Sequence, residues 1–87
     1  MNNTYIVSSV RTAVGKAPRG TLRHTRPDDL GATAVKGAIA QVPGLVSNQI
    51  DDVILGCAMP EAEQGFNIGR IVALRAGLPD SVSGCTV

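Results

Sequence analysis

The chain has 87 residues and a formal net charge of +1, which is room for at most one domain and gives no global pull toward nucleic acid or a membrane surface. Its apolar residues are plentiful (44%), but they are mainly Ala, Val, Ile and Leu, with one Phe, one Tyr and no Trp. A chain of this size buries only roughly 60–65% of its unfolded surface, so small side chains of this kind suit close helix-on-sheet packing as part of a larger core.

Tyr5-Ile-Val-Ser-Ser-Val10 is rich in β-formers and predicts a first strand. Pro18 and Gly20 make a loop of Ala17–Thr21. Arg11, Lys16, Arg19, Arg23 and Arg26 all precede the first acid, Asp28. A solvated basic loop accounts for them better than a phosphate-facing patch. No aromatic residues interleave with these charges, which counts against single-stranded nucleic acid. Thr25-Arg-Pro-Asp-Asp29 then opens a helix: Thr25 can cap, Pro27 fits the first turn, and the two acids sit at the positive end of the dipole.

The first helix is expected from about Asp28 to about Gln41, with Leu30, Ala34, Ala38 and Val42 stepping by four and Val35 and Ile39 beside them. Gly31 and Gly37 each weaken it by roughly 1 kcal/mol relative to Ala, which is tolerable where the helix packs closely on another element. Pro43-Gly44 ends it. Asp51–Cys57 predicts a second strand, and its continuous run Val53-Ile54-Leu55 suits a strand covered on both faces. A loop with Glu61 and Glu63 follows. Asn67 is then a good N-cap, and Ile68, Ile71, Val72 and Ala76 recur at helical spacing. Gly77 stands where the chain turns left-handed, with Pro79 just beyond, so this helix has about ten residues and both its ends are legible. Val82–Val87 predicts a third strand. The order strand–helix–strand–helix–strand predicts α/β architecture with right-handed crossovers and a parallel sheet. A last strand that reaches Val87 leads to the expectation that the chain continues beyond it.

Taken singly, the reactive side chains carry little. His24 is alone in the basic loop, without a cysteine, serine or carboxylate motif. Glu61 and Glu63 are better read as a solvated pair on a loop than as paired catalytic carboxylates. Cys85 lies within a strand, whereas a nucleophilic thiolate wants a helix N-terminus or a cationic neighbour, so it reads as a buried structural thiol. Cys57 and Cys85 have no Cys-x-x-Cys or His spacing that suits a metal, and two lone thiols fit a reducing, cytoplasmic setting. Gly65 and Gly69 flank a helix start but form no phosphate-binding glycine pattern. No signal or transit segment is read at the N-terminus, and no apolar run approaches the roughly 18 residues of a membrane span.

The segments in their order say more. Ile6-Val7 followed by Arg11-Thr12 and Gly15-Lys16 resembles the opening of the thiolases. Asp29-Leu30 at a helix start, Ile50-Asp51-Asp52-Val53-Ile54-Leu55-Gly56, Glu63-Gln64-Gly65-Phe66-Asn67-Ile68-Gly69-Arg70, Ala76-Gly77-Leu78-Pro79 and Thr86-Val87 extend that resemblance over residues 1–87. The third of these is similar to the 3-ketoacyl-CoA thiolases of fatty-acid β-oxidation. Two departures stand out: Ala13 where the family usually has proline, and Ser83-Gly84-Cys85 where it tends to Pro-Ala-x.

The resemblance implies a parallel β-α-β-α-β piece of the layered thiolase N-terminal domain, with the rest of that domain and the C-terminal domain absent. It implies an acyltransferase that cleaves 3-ketoacyl-CoA with CoA into acetyl-CoA and a shortened acyl-CoA, or runs the reverse condensation. Coenzyme A is then a substrate, and no cofactor is covalently bound. Thr86-Val87 should run into the motif that carries the nucleophilic cysteine a few residues beyond Val87; the other catalytic groups belong to the C-terminal half. No catalytic or metal residue is therefore assigned within 1–87, and no CoA-binding residue is identified. Expected partners are acyl-CoA, the rest of a parent chain and a second copy, with no nucleic acid. The tail helix is expected at or near a subunit or domain contact rather than on open surface, because Ile68, Ile71, Val72 and Leu74 exceed what one sheet covers and Arg70 is available to bond across, so the chain alone should aggregate, dimerise or be found bound to the rest of its parent. The alternative is a non-catalytic α/β interaction module derived from a thiolase start.

Overall fold

The computed structural model describes residues 3–16 and 18–87. Ala17, the first residue of the expected loop, lies outside the described residues. Helix α1 spans Pro27–Ala40, strand β1 Asp52–Leu55, helix α2 Ile68–Arg75 and strand β2 Ser83–Thr86. Short 3₁₀ turns at Ser47–Gln49 and Ala62–Gln64 precede β1 and α2. The strands pair in parallel, Asp52 opposite Ser83 through Leu55 opposite Thr86. α2 is the crossover between them and packs on both strands and on α1.

α1 starts one residue before the expected position, and Thr25 does not cap it. Arg26 is the N-cap, extended at φ −69° and ψ 143°, with no side-chain capping bond. Pro27 explains this: the residue before a proline is pushed out of the helical region, so the boundary falls at Arg26. The Asp28 carboxylate instead accepts from the Asp29 N–H at 3.0 Å. The stripe that meets the core is also rotated from the expected one. Ala32 is buried, Val35 and Ile39 pack on the core, and Gly31 faces Val72 so closely that a Cβ there would lie 2.8 Å from Val72 Cγ2. Leu30, Ala34, Ala38 and Val42 are half-buried to the side. Gly37 makes no comparably close approach; a Cβ there would sit 3.8 Å from Val10 Cγ2.

α2 has eight residues rather than ten, and both ends form as expected. The Asn67 side chain accepts from Arg70 N at 3.3 Å. At the other end Gly77 adopts φ +84°, its N–H bonds Leu74 O at 3.0 Å, and Leu78 N bonds Ala73 O at 3.2 Å. That pair of bonds is a Schellman ending, and it seats Leu78 against Ala73 in the core with Val82. Ile68 and Val72 are fully covered by the chain's own elements. Of the four apolar residues expected at a contact, only Leu74 is open, at 46% exposure. α1 supplies the second covering surface that one sheet lacks. Arg70 does not reach outward either: its guanidinium donates to Val82 O and to Asp80 O of the same chain.

Two further expectations change. β1 is covered on one face only: Val53 and Leu55 are half-buried while Ile54 is 66% exposed. And Tyr5–Val10 forms no strand. It does not enter the ladder, and Ile6 is 92% exposed. β-propensity records a fit to a pleated, half-buried surface, and this segment meets only the rim of an open apolar groove. The groove, about 340 Å³, is floored by Val35, Ile39, Ile50, Val53 and Leu78. Ser8 Oγ anchors the segment beside it with a 2.7 Å hydrogen bond to Gln41 Oε1.

Candidate functional site

The most closely built region is where the start of α2 lies on the end of β2. Here the two backbones touch through glycines. A Cβ on Gly69 would collide with the Cys85 carbonyl, and one on Gly84 would lie 2.8 Å from Arg70 Cα. Across this contact Asn67 Nδ2 donates to Gly84 O at 2.8 Å. Thr86 Oγ1 donates to Asn67 Oδ1 at 2.8 Å and accepts from Gly69 N at 3.0 Å. Arg70 closes the other side on the carbonyls of Val82 and Asp80. Thus the backbone donors of the helix start and the backbone acceptors of the strand satisfy one another through two short polar side chains. Gly65, the other glycine expected to allow a close approach, faces its own loop: a Cβ there would sit 2.9 Å from Ala62 O.

Cys85 lies in β2 opposite Ile54 and is half-buried, as is Cys57; both are free thiols. Cys85 is therefore less covered than the buried thiol expected of it, because one face of this sheet is open. His24 is exposed in a turn. Glu61 and Glu63 do not act as a pair: Glu63 binds Arg26 at 2.9 Å, and Glu61 is exposed. Among the described residues no group of three or more His, Cys, Asp or Glu could hold a metal, and no helix is long and apolar enough to cross a membrane.

Reading the sequence found Asn67 as a cap but missed that its amide also holds the strand. Thr86 and Gly84 carried no local signal, since their partners lie 17 to 19 residues away. Missed as well was the ionic belt at the start of α1. Asp28, buried, accepts from Arg26 Nε at 3.1 Å; Arg26 reaches on to Glu63, and Asp29 pairs with Arg75 of α2. Burial pushes the Asp28 carboxyl up, but the Arg26 hydrogen bond and charge, the Asp29 N–H and the Arg75 charge together outweigh it and hold the group below its ordinary 3.8. The Asp29 hydrogen bond raises Arg75 above its ordinary value. A lowered carboxyl stabilises the fold above its unfolded value and loses that contribution as pH falls through the folded one. Asp28→Asn is therefore expected to flatten the fall of Tm as pH drops below the ordinary carboxyl value, relative to wild type. An unchanged acid limb would show that the belt contributes nothing.

The chain matches the thiolase N-terminal domain over residues 4–87. It is 52% identical to the 3-ketoacyl-CoA thiolase of Bacillus subtilis (strain 168) and 45% identical to that of Aliivibrio salmonicida (strain LFI1238), each over 87 residues. Those alignments cover 100% of this chain and 22% of either relative, so the chain spans about a fifth of the length of the curated relatives it matches. With the α/β crossover, the two-ended helix and the match along nearly its whole length, the chain belongs to the thiolase family, within the family's N-terminal domain.

Proposed function

We propose that these residues are the scaffold of a thiolase acyltransferase that cleaves 3-ketoacyl-CoA with CoA, or runs the reverse condensation. The observation that carries this reading is the alignment of the entire chain with 3-ketoacyl-CoA thiolases. It favours the acyltransferase over a non-catalytic interaction module. In the proposed reaction a cysteine thiolate, a few residues past Val87, attacks the 3-keto carbon. The C2–C3 bond breaks, acetyl-CoA leaves as its enolate and is protonated at C2. A CoA thiol then gives up its proton, replacing the one spent at C2, and its sulfur takes the acyl group as the enzyme thiolate leaves. Splitting the cleavage in two through a covalent thioester lowers each barrier. Acyl-CoA is the substrate, no cofactor is covalently held, and a second copy or the rest of a longer chain covers the open sheet face. The finer architecture follows the same reading: in the longer protein Tyr5–Val10, unpaired in residues 1–87, adds a third strand to the parallel sheet, supported by its β-rich composition and its place beside the groove. Two free cysteines fit a cytoplasmic setting.

The test is thiolytic cleavage of acetoacetyl-CoA. Residues 1–87 alone are expected to give none. The full-length protein carrying this domain is expected to turn over, as is a chimera in which 1–87 replaces the matching segment of the Bacillus subtilis relative. Cleavage by 1–87 alone, or inactivity of both longer proteins, overturns the reading. Cys85→Ala in the full-length protein should keep turnover within a few-fold; a loss on the order of 10⁴ would move the nucleophile to Cys85.

A further inference from the structure

We propose that Asn67 and Thr86 are positioning residues: together they fix the direction in which β2 leaves the sheet, and so the place of the nucleophile beyond it. The inference rests on the acyltransferase reading above. Thr86 is the last residue of β2, and its hydroxyl is held from both directions by α2, donating to Asn67 Oδ1 and accepting from Gly69 N. Asn67 Nδ2 holds the strand two residues earlier, at Gly84 O. The next residue, Val87, is fixed by β1 instead: its N–H bonds Leu55 O and its carbonyl accepts from Cys57 N, both at 2.9 Å. The strand exit is thus pinned by backbone on one side and by two side chains on the other, with glycine at Gly69 and Gly84 setting the separation. Asn67 is exposed and Thr86 only half-buried, so neither is there to fill core volume. A displacement of about 1 Å at a reacting atom can cost on the order of 10² in rate.

Asn67→Asp separates positioning from folding. Asp caps a helix about as well as Asn, so α2 keeps its start, but the donor to Gly84 O is lost and a carboxylate faces that carbonyl. Thr86→Val removes the hydroxyl at nearly constant shape, and Thr86→Ser restores it. In the full-length protein, Asn67→Asp and Thr86→Val are expected to lower kcat at least 10-fold, with KM for acetoacetyl-CoA within about 3-fold and Tm within a few degrees of wild type. Inactivation by iodoacetamide, which reports the nucleophile's own reactivity, should slow in parallel. Thr86→Ser should recover kcat to within about 3-fold. If Thr86→Val proves unfolded, Asn67→Asp decides alone. Wild-type kcat and alkylation in Asn67→Asp, equal losses in Thr86→Ser and Thr86→Val, or losses confined to KM overturn the proposal while leaving the acyltransferase reading intact. Inactivity of the wild type overturns the acyltransferase reading, and the clamp with it.

Discussion

Gly69→Ala is expected to cost about 3 kcal/mol, the upper end of what overpacking a close contact costs, because the obstacle is backbone and has no rotamer to yield. The added methyl would meet the Cys85 carbonyl directly, with Cys85 N also only 3.1 Å away. Gly84→Ala meets the same wall from the other side, at 2.8 Å from Arg70 Cα and 2.9 Å from Arg70 N. Folded proteins are held by roughly 5–15 kcal/mol, so that is a large share, and Tm should fall on the order of 10 °C. Gly56→Ala is the control: nothing lies within 4 Å of its Cβ position, and Tm should hardly move. Thermal unfolding by circular dichroism checks all three, and a Gly69→Ala protein as stable as Gly56→Ala would show that the helix and strand are not in contact there.

The second large effect is at Val72, which is fully buried against Gly31 of α1. Val72→Ala removes two methyl groups worth about 1.6 kcal/mol in transfer and leaves a cavity, for a total of about 2–3 kcal/mol. Gly31→Ala alone should also destabilise, since its methyl would stand 2.8 Å from Val72 Cγ2 and 3.3 Å from Cγ1, and a valine in a helix has little rotamer freedom with which to retreat. Combined, the two changes compensate: the methyl introduced by Gly31→Ala occupies space the valine vacated. The double variant should be more stable than the sum of the single losses predicts by about 1–2 kcal/mol in urea titration. Additive losses would mean that α1 and α2 do not share this contact.

α2 was legible almost to the residue, because its signals are local: Asn67 lies three residues from the N–H it caps, and Gly77 supplies its own conformation. The parallel pairing followed from element order alone. What failed, failed where the outcome depends on distant chain. Tyr5–Val10 has strand composition, but a strand needs an edge to pair with, and composition does not say whether one is within reach. Ile54 looks like a residue covered on both sides, yet its cover is not supplied by these elements. The exposed Phe66 sits at φ +57°, a conformation that favours glycine or asparagine, and nothing in the local sequence announces it. The clamp at Asn67 and Thr86 was half legible: the residue was found from its neighbour at Arg70, and its more consequential partners at Gly84 and Thr86 were hidden by sequence distance.

The parallel register of β1 and β2 also dictates an order of events as the chain folds. Asp52 and Ser83 are 31 residues apart, so closing them alone carries a loop entropy that four ladder positions repay poorly. α2 lies inside that loop, and both of its ends are stopped by bonds spanning only a few residues. Eight residues are too few for a helix to hold alone in water, so α2 is expected to form as it meets α1 and then to shorten the path between the strands. The sheet then closes onto a helix already in place, with the Gly69–Gly84 contact as the last and least forgiving step. The expected result in rate terms is φ-values well above zero for side chains within α2 and near zero along the β1–β2 ladder, whose changes should act mainly on the unfolding rate; φ-values near zero throughout α2 would reverse that order.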